Sequence, residues 1–190
     1  PALVPAIVLA IVIAAPLTKP VQALQDQSPP DPKFTAAMQK GEPELKGRRF
    51  DQAIQAFKQV NPIQKKTSAA AFLGLARAYH EMGAFNTEAE NCAEGLKHVG
   101  DNQRLRASLH NQRGMALFSL ADKNTDKEIR DAEAEFRSAL VLPEAPPIAW
   151  FNLGVMLLKQ SRDQEGIVAL QSYIDTGTRA LEIDLARKMI

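Results

Sequence analysis

The side chains able to do chemistry are few in this 190-residue chain, and they are scattered. Three histidines, His80, His98 and His110, and one cysteine, Cys92, are the candidate bases, nucleophiles and soft metal ligands. A metal site needs such residues at short, repeated spacing. The histidines instead fall in separate helical segments. A lone cysteine forms no intrachain disulfide, and Cys92 stands at or beside a bulky helix position, where a small buried hydrophobe is expected rather than a reactive thiol. No phosphate-cradling glycine loop, H-E-x-x-H or G-x-S-x-G pattern occurs, and several of the ten glycines sit at helix-packing positions. These residues predict neither catalysis nor a cofactor. The carboxylates read as solvated helix faces.

Charge and composition narrow the classes further. The 23 basic and 22 acidic residues leave a net charge of +1, with no long block of one sign. Lys46, Arg48 and Arg49 make the densest cationic cluster, but they lie at a predicted inter-helix turn beside Glu42 and Glu44, without interleaved aromatics. Nucleic-acid binding takes many coordinated cations, so the cluster reads as a solvated turn. With 45% hydrophobic and only 6% aromatic residues, the core is aliphatic and alanine-rich. That composition favours closely packed helices over a β-sandwich.

The first segment differs in kind. Ala2 to Leu17 is a nearly unbroken apolar run of 16 residues, shorter than the roughly 20 that a spanning helix needs. It suits the apolar region of a secretory signal, with Val21, Gln22 and Ala23 as a small-residue cleavage site and a cut after Ala23. Residues 1–23 are therefore expected to be a signal peptide, with an uncleaved signal anchor as the alternative. A buried core helix is the third option, which Pro5 and Pro16 oppose. The chain opens on Pro1 without a basic leader and ends on Ile190 without a helix stop, so continuation at either end is expected. Residues 24–33, with Pro29, Pro30 and Pro32 among polar side chains, read as an extended linker.

From Phe34 onward apolar residues recur at helical spacing, and the helices come in pairs joined by short polar turns. The segment from Ala149 to Ile174 carries Trp150, Leu153, Gly154 and Leu157, then Gly166 and Leu170. A second unit places Phe72, Leu75, Ala76, Tyr79, Gly83 and Phe85 alike, with Glu88 or Ala89 at the small position of its second helix. A third has Gly114 and Leu117, then Ala132, Phe136, Ala139 and Pro143, with a turn enlarged by about six residues within ADKNTDKE. The first unit has Phe50, Ala53, Phe57 and Pro62 in its second helix. Its first helix holds Gly41, Pro43 and no anchoring aromatic but Phe34. Small residues at Ala76, Gly114 and Gly154 would let paired helices approach closely. Thr87 with Glu90, and Thr125 with Glu128, have capping-box spacing for the second helices.

This pattern resembles the tetratricopeptide repeat (TPR), whose first helix carries W-x2-L-G-x2-Y and whose second carries A-x3-F. The resemblance implies an all-α, right-handed superhelical solenoid of about four helix pairs plus a C-terminal capping helix. The units are a degenerate repeat at 34–62, repeats at 66–99, 102–143 and 147–175, and a helix at 178–190 in which Leu181, Leu185 and Met189 form a stripe. It also implies a non-enzymatic scaffold that binds a protein or peptide segment in its concave groove, and the apolar leader adds the expectation that this scaffold is exported to a periplasmic or extracytoplasmic place. By register the groove wall comprises Leu73, Arg77 and His80, then Asn111, Met115 and Phe118, then Phe151, Val155, Leu158 and Lys159, with Ala70, Glu81, Ser108, Ser119 and Ile148 beside them. The groove grades from polar to apolar toward the C-terminal end, unless the last helix covers it. The Lys and Asn set with which some family members clamp a C-terminal carboxylate is not reproduced. An accessory module of a larger exported enzyme, for example one with a thioredoxin-like domain, and a membrane-anchored assembly factor are the alternatives.

Overall fold

The alternation of apolar stripes and polar turns is realised as helices throughout. The computed structural model describes residues 32–64, 68–121, 126–177 and 179–190. Among them are α1 (Pro32–Lys46), α2 (Phe50–Gln64), α3 (Ala69–Glu81), α4 (Phe85–His98), α5 (Gln103–Ala121), α6 (Asp126–Leu140), α7 (Ile148–Lys159), α8 (Asp163–Thr176) and α9 (Ala180–Met189). The apolar run of 1–23 lies outside the described residues. No helix among the described residues is long and apolar enough to cross a membrane.

Three of the pairs turn by one device. Helices α1, α3 and α7 each end two residues before a positive φ, at Arg48 (58°), Gly83 (71°) and Ser161 (58°). The next amide then reaches back to a carbonyl in the last helical turn. Arg49 N donates to Glu44 O at 2.9 Å, Ala84 N to Tyr79 O at 2.9 Å, and Arg162 N to Leu157 O at 3.0 Å. Each is a Schellman-type ending, which satisfies carbonyls that the helix leaves open. Glycine takes the left-handed conformation freely, while Arg48 and Ser161 hold it at a cost of about 1 kcal/mol.

Counting from that turn sets the register of these three pairs. Seven residues before it stand Gly41, Ala76 and Gly154; five after it stand Ala53, Glu88 and Gly166; nine after it stand Phe57, Cys92 and Leu170. Gly41 is thus a close-packing position and not a defect of the first repeat. A Cβ there would come 2.5 Å from the Phe57 ring, and one at Gly74 on α3 would come 2.6 Å from it. The ring fills the space that both glycines leave open. The small position of the second pair is Glu88, fully buried beside Cys92.

Other expectations are corrected. α1 begins at Pro32, inside the stretch read as linker, because proline is well suited to a first helical position. Thr87 does not cap α4, which starts two residues earlier with Ala84 at its N-cap and no side-chain cap. Instead, the Thr87 carbonyl accepts from Asn91 Nδ2 at 2.7 Å. Thr125 lies outside the described residues. Much of the extra length of the third repeat is helical: α5 continues four residues past Leu117 and α6 starts three before Ile129. On α9 the packed stripe is Ile183, Ala186 and Met189, against Leu170 and Tyr173. Leu181 and Leu185 are 79% and 48% exposed, so neither completes that stripe.

Within each pair the two helices pack along their length, and each pair packs on the next. First helices also touch first helices of neighbouring pairs, α1 with α3, α3 with α5 and α5 with α7. Second helices make no comparable contacts among the described residues. The first helices therefore form the crowded inner layer of a curved stack, and the second helices form the splayed outer layer.

Candidate binding groove

The inner layer carries two adjoining depressions. The larger, about 500 Å³, is lined by Leu45 and Lys46 at the end of α1, by Arg48 of the turn after it, by Arg77, His80 and Glu81 of α3, and by Gln112 and Met115 of α5. The smaller, about 130 Å³, is lined by His80, Met115, Phe118, Ser119, Phe136, Phe151, Asn152 and Val155. His80 and Met115 are common to both. One depression is cationic and the other apolar, and they meet at a shared wall.

That wall is held by a buried polar group. Glu88, wholly buried on α4, accepts from Gln112 Nε2 at 2.7 Å, and His80 Nδ1 lies 2.9 Å and 3.1 Å from its two oxygens. A buried carboxylate without partners is very costly. Here α3 and α5 supply the partners from the groove side. The hydrogen bond to Glu88 raises the His80 pKa above the ordinary 6.5; burial opposes it, and the charges of Glu88 and Glu81 add to it. Cys92 lies in the same layer, and its thiol pKa is pushed up by burial, with the Glu88 charge adding. His110 lies 2.7 Å from Glu135, which also accepts from Arg113 at 2.5 Å, and His98 lies 2.9 Å from Glu94.

The residues expected on the groove wall divide into two sets. Arg77, His80, Met115, Phe118, Phe151 and Val155 line the two depressions. Lys159 borders the apolar one, its ammonium 4.9 Å from the Phe118 ring centre. The other three are corrected. Leu73 is only 7% exposed and packs with Ala69, Val99 and Leu109. Asn111 is buried and accepts from Asn152 Nδ2 at 2.9 Å, tying α5 to α7. Leu158 turns toward α8, where a Cβ on Gly166 would lie 2.8 Å from it. Register by whole helical turns placed all three on the inner face, but each sits where that face curves into a neighbour. Phe151 does two jobs, lining the apolar depression and meeting the Tyr173 ring edge-on at 5.4 Å. α9 packs through Ile183 and Met189 against the cluster that Phe151, Val155 and Leu158 adjoin, without closing the depression.

Sequence reasoning missed Lys46, Arg48, Gln112 and Asn152. The basic pair was visible in the sequence, but only the first turn's position beside α3 turns it into a wall.

The described residues thus form a tetratricopeptide-like helical solenoid. Two solved structures of MamA, a protein with a TPR-like fold, are similar to it. One is 22% identical over 83% of this chain and 82% of its own, with a TM-score of 0.59, and the other is 22% identical over 78% and 82%, with a TM-score of 0.57. At that identity the likeness is one of fold. No protein family profile and no curated protein matches the chain.

Proposed function

We propose that the protein is a non-enzymatic scaffold that binds a segment of another protein across its inner layer. The observation that carries this reading is the pair of depressions joined at His80 and Met115, where apolar side chains of α5 and α7 stand next to cations of α1 and α3. Clustered, accessible apolar side chains rimmed by polar ones mark contact surfaces. A photo-crosslinking residue at Ser119, on the apolar rim, should capture a partner in the protein's own cell. The same residue at Val168 on α8, 61% exposed, should not. Met115→Glu should abolish capture at Ser119 with helicity unchanged by circular dichroism. Capture at Val168 alone would place the working surface elsewhere.

The proposal includes export. It rests on the apolar run from Ala2 to Leu17 and on the Val21-Gln22-Ala23 stretch that follows it. Amino-terminal sequencing of the protein from its own cell should begin near Leu24. A chain retaining residues 1–23 would point to an anchored protein instead.

A further inference from the structure

Building on the groove reading, we propose that the segment it accepts carries an acidic side chain next to an apolar anchor. The acid would sit in the Lys46, Arg48 and Arg77 depression and the anchor among Met115, Phe118, Phe151 and Val155. Charge complementarity selects this occupant. Lys46 has no carboxylate partner among the described residues. Arg48 lays its guanidinium over the Phe50 ring at 5.7 Å. Among the described residues Arg77 makes only a long 3.7 Å contact with Glu42, both side chains about two-fifths exposed. Glu81 opposes them on the same wall, while the nearby Glu44 is taken up by Arg49. Glu88 is fully buried and engaged by His80 and Gln112, so it leaves the cations available to a ligand. The depression therefore carries three cations against one lining carboxylate.

The second half of the site fixes what must lie beside the acid. The apolar depression, about 130 Å³, has room for one aliphatic or aromatic side chain and ends at Phe136, which is fully buried. Because His80 and Met115 wall both depressions, the acid and the anchor belong to neighbouring positions of one extended segment. The acid is a side chain within the segment: the cations are spread across the α1–α2 turn and α3 and offer a broad basin, not a closed socket for a chain end. Arginine and lysine at this exposure steer and orient a partner, while the buried anchor supplies most of the affinity.

Panning a phage-displayed library of random linear peptides on the full chain tests this. Enriched peptides should carry Asp or Glu beside Leu, Ile, Met or Phe. Affinity of a synthesised winner should fall about tenfold for each charge reversed in Lys46→Glu and Arg77→Glu, fall as salt is raised, and be lost with Met115→Glu. Winners without an acidic excess that are still lost with Met115→Glu would overturn the acidic partner and leave the groove standing. Winners insensitive to all three substitutions, or no enrichment, would overturn both.

Discussion

Glu88→Ala is expected to lower stability by about 3 kcal/mol below pH 6.5, and by less above it. The substitution removes a fully buried carboxylate whose two partners come from the groove helices. Gln112 Nε2 is then left buried without an acceptor, and His80 loses the anion that favours its charged form. The pH dependence follows from His80. Its pKa is raised in the folded chain over the ordinary 6.5, first by the Glu88 hydrogen bond. As pH rises past 6.5 the unfolded chain gives up that proton before the folded chain does, so the native protein holds more protons and stability falls. The stabilisation is complete below 6.5 and is lost as pH passes through the raised native value. Glu88→Gln should preserve the shape, cost less than alanine and flatten this fall. Thermal melts of the three proteins across neutral pH would check it, with a shift of roughly 10 °C for alanine at the acidic end. A flat profile in the parent protein would sink the idea.

Replacing Gly154 with leucine should have a comparable effect by a different route. A Cβ on Gly154 would fall 2.7 Å from Leu170 Cγ and 3.1 Å from the Gly166 carbonyl oxygen, which is backbone and cannot turn away. Overpacking of this kind costs about 3 kcal/mol. Gly154→Ala is the informative control, because its helix-propensity gain of about 1 kcal/mol works against a smaller clash. In a solenoid each pair leans mainly on its neighbours, so the damage should be local. Native-state hydrogen exchange should show amides of α7 and α8 losing protection while α1 to α4 keep theirs. Loss of protection across every pair alike would contradict it.

The helix pairs were legible because a TPR-like unit repeats its small and bulky residues at fixed spacing, and Trp150 to Leu170 shows that spacing most fully. Legibility failed where a residue's meaning depends on another helix. Gly41 looks like a weak point of α1 until Phe57 is seen to fill the space above it. Glu88 breaks the small-residue rule, and only its partners on α3 and α5, with the small Cys92 one turn on, explain how a carboxylate can lie buried there. Lys46 and Arg48 look like an exposed turn because their neighbour across the groove, Arg77, is about thirty positions away. Leu73, Asn111 and Leu158 share the helical phase of the groove residues but not their position along the curve of the stack, which periodicity alone does not encode.

The central claim is that the inner layer is the working surface. Amide hydrogen exchange of the full chain, free and bound to the partner captured through Ser119, tests it most directly. Protection gained by α3, α5 and the exposed turns of α7, around Arg77, Met115 and Val155, is the predicted result. Protection gained instead on the outer helices α6 and α8, around Ile167 and Val168, with the inner layer unchanged, would contradict it.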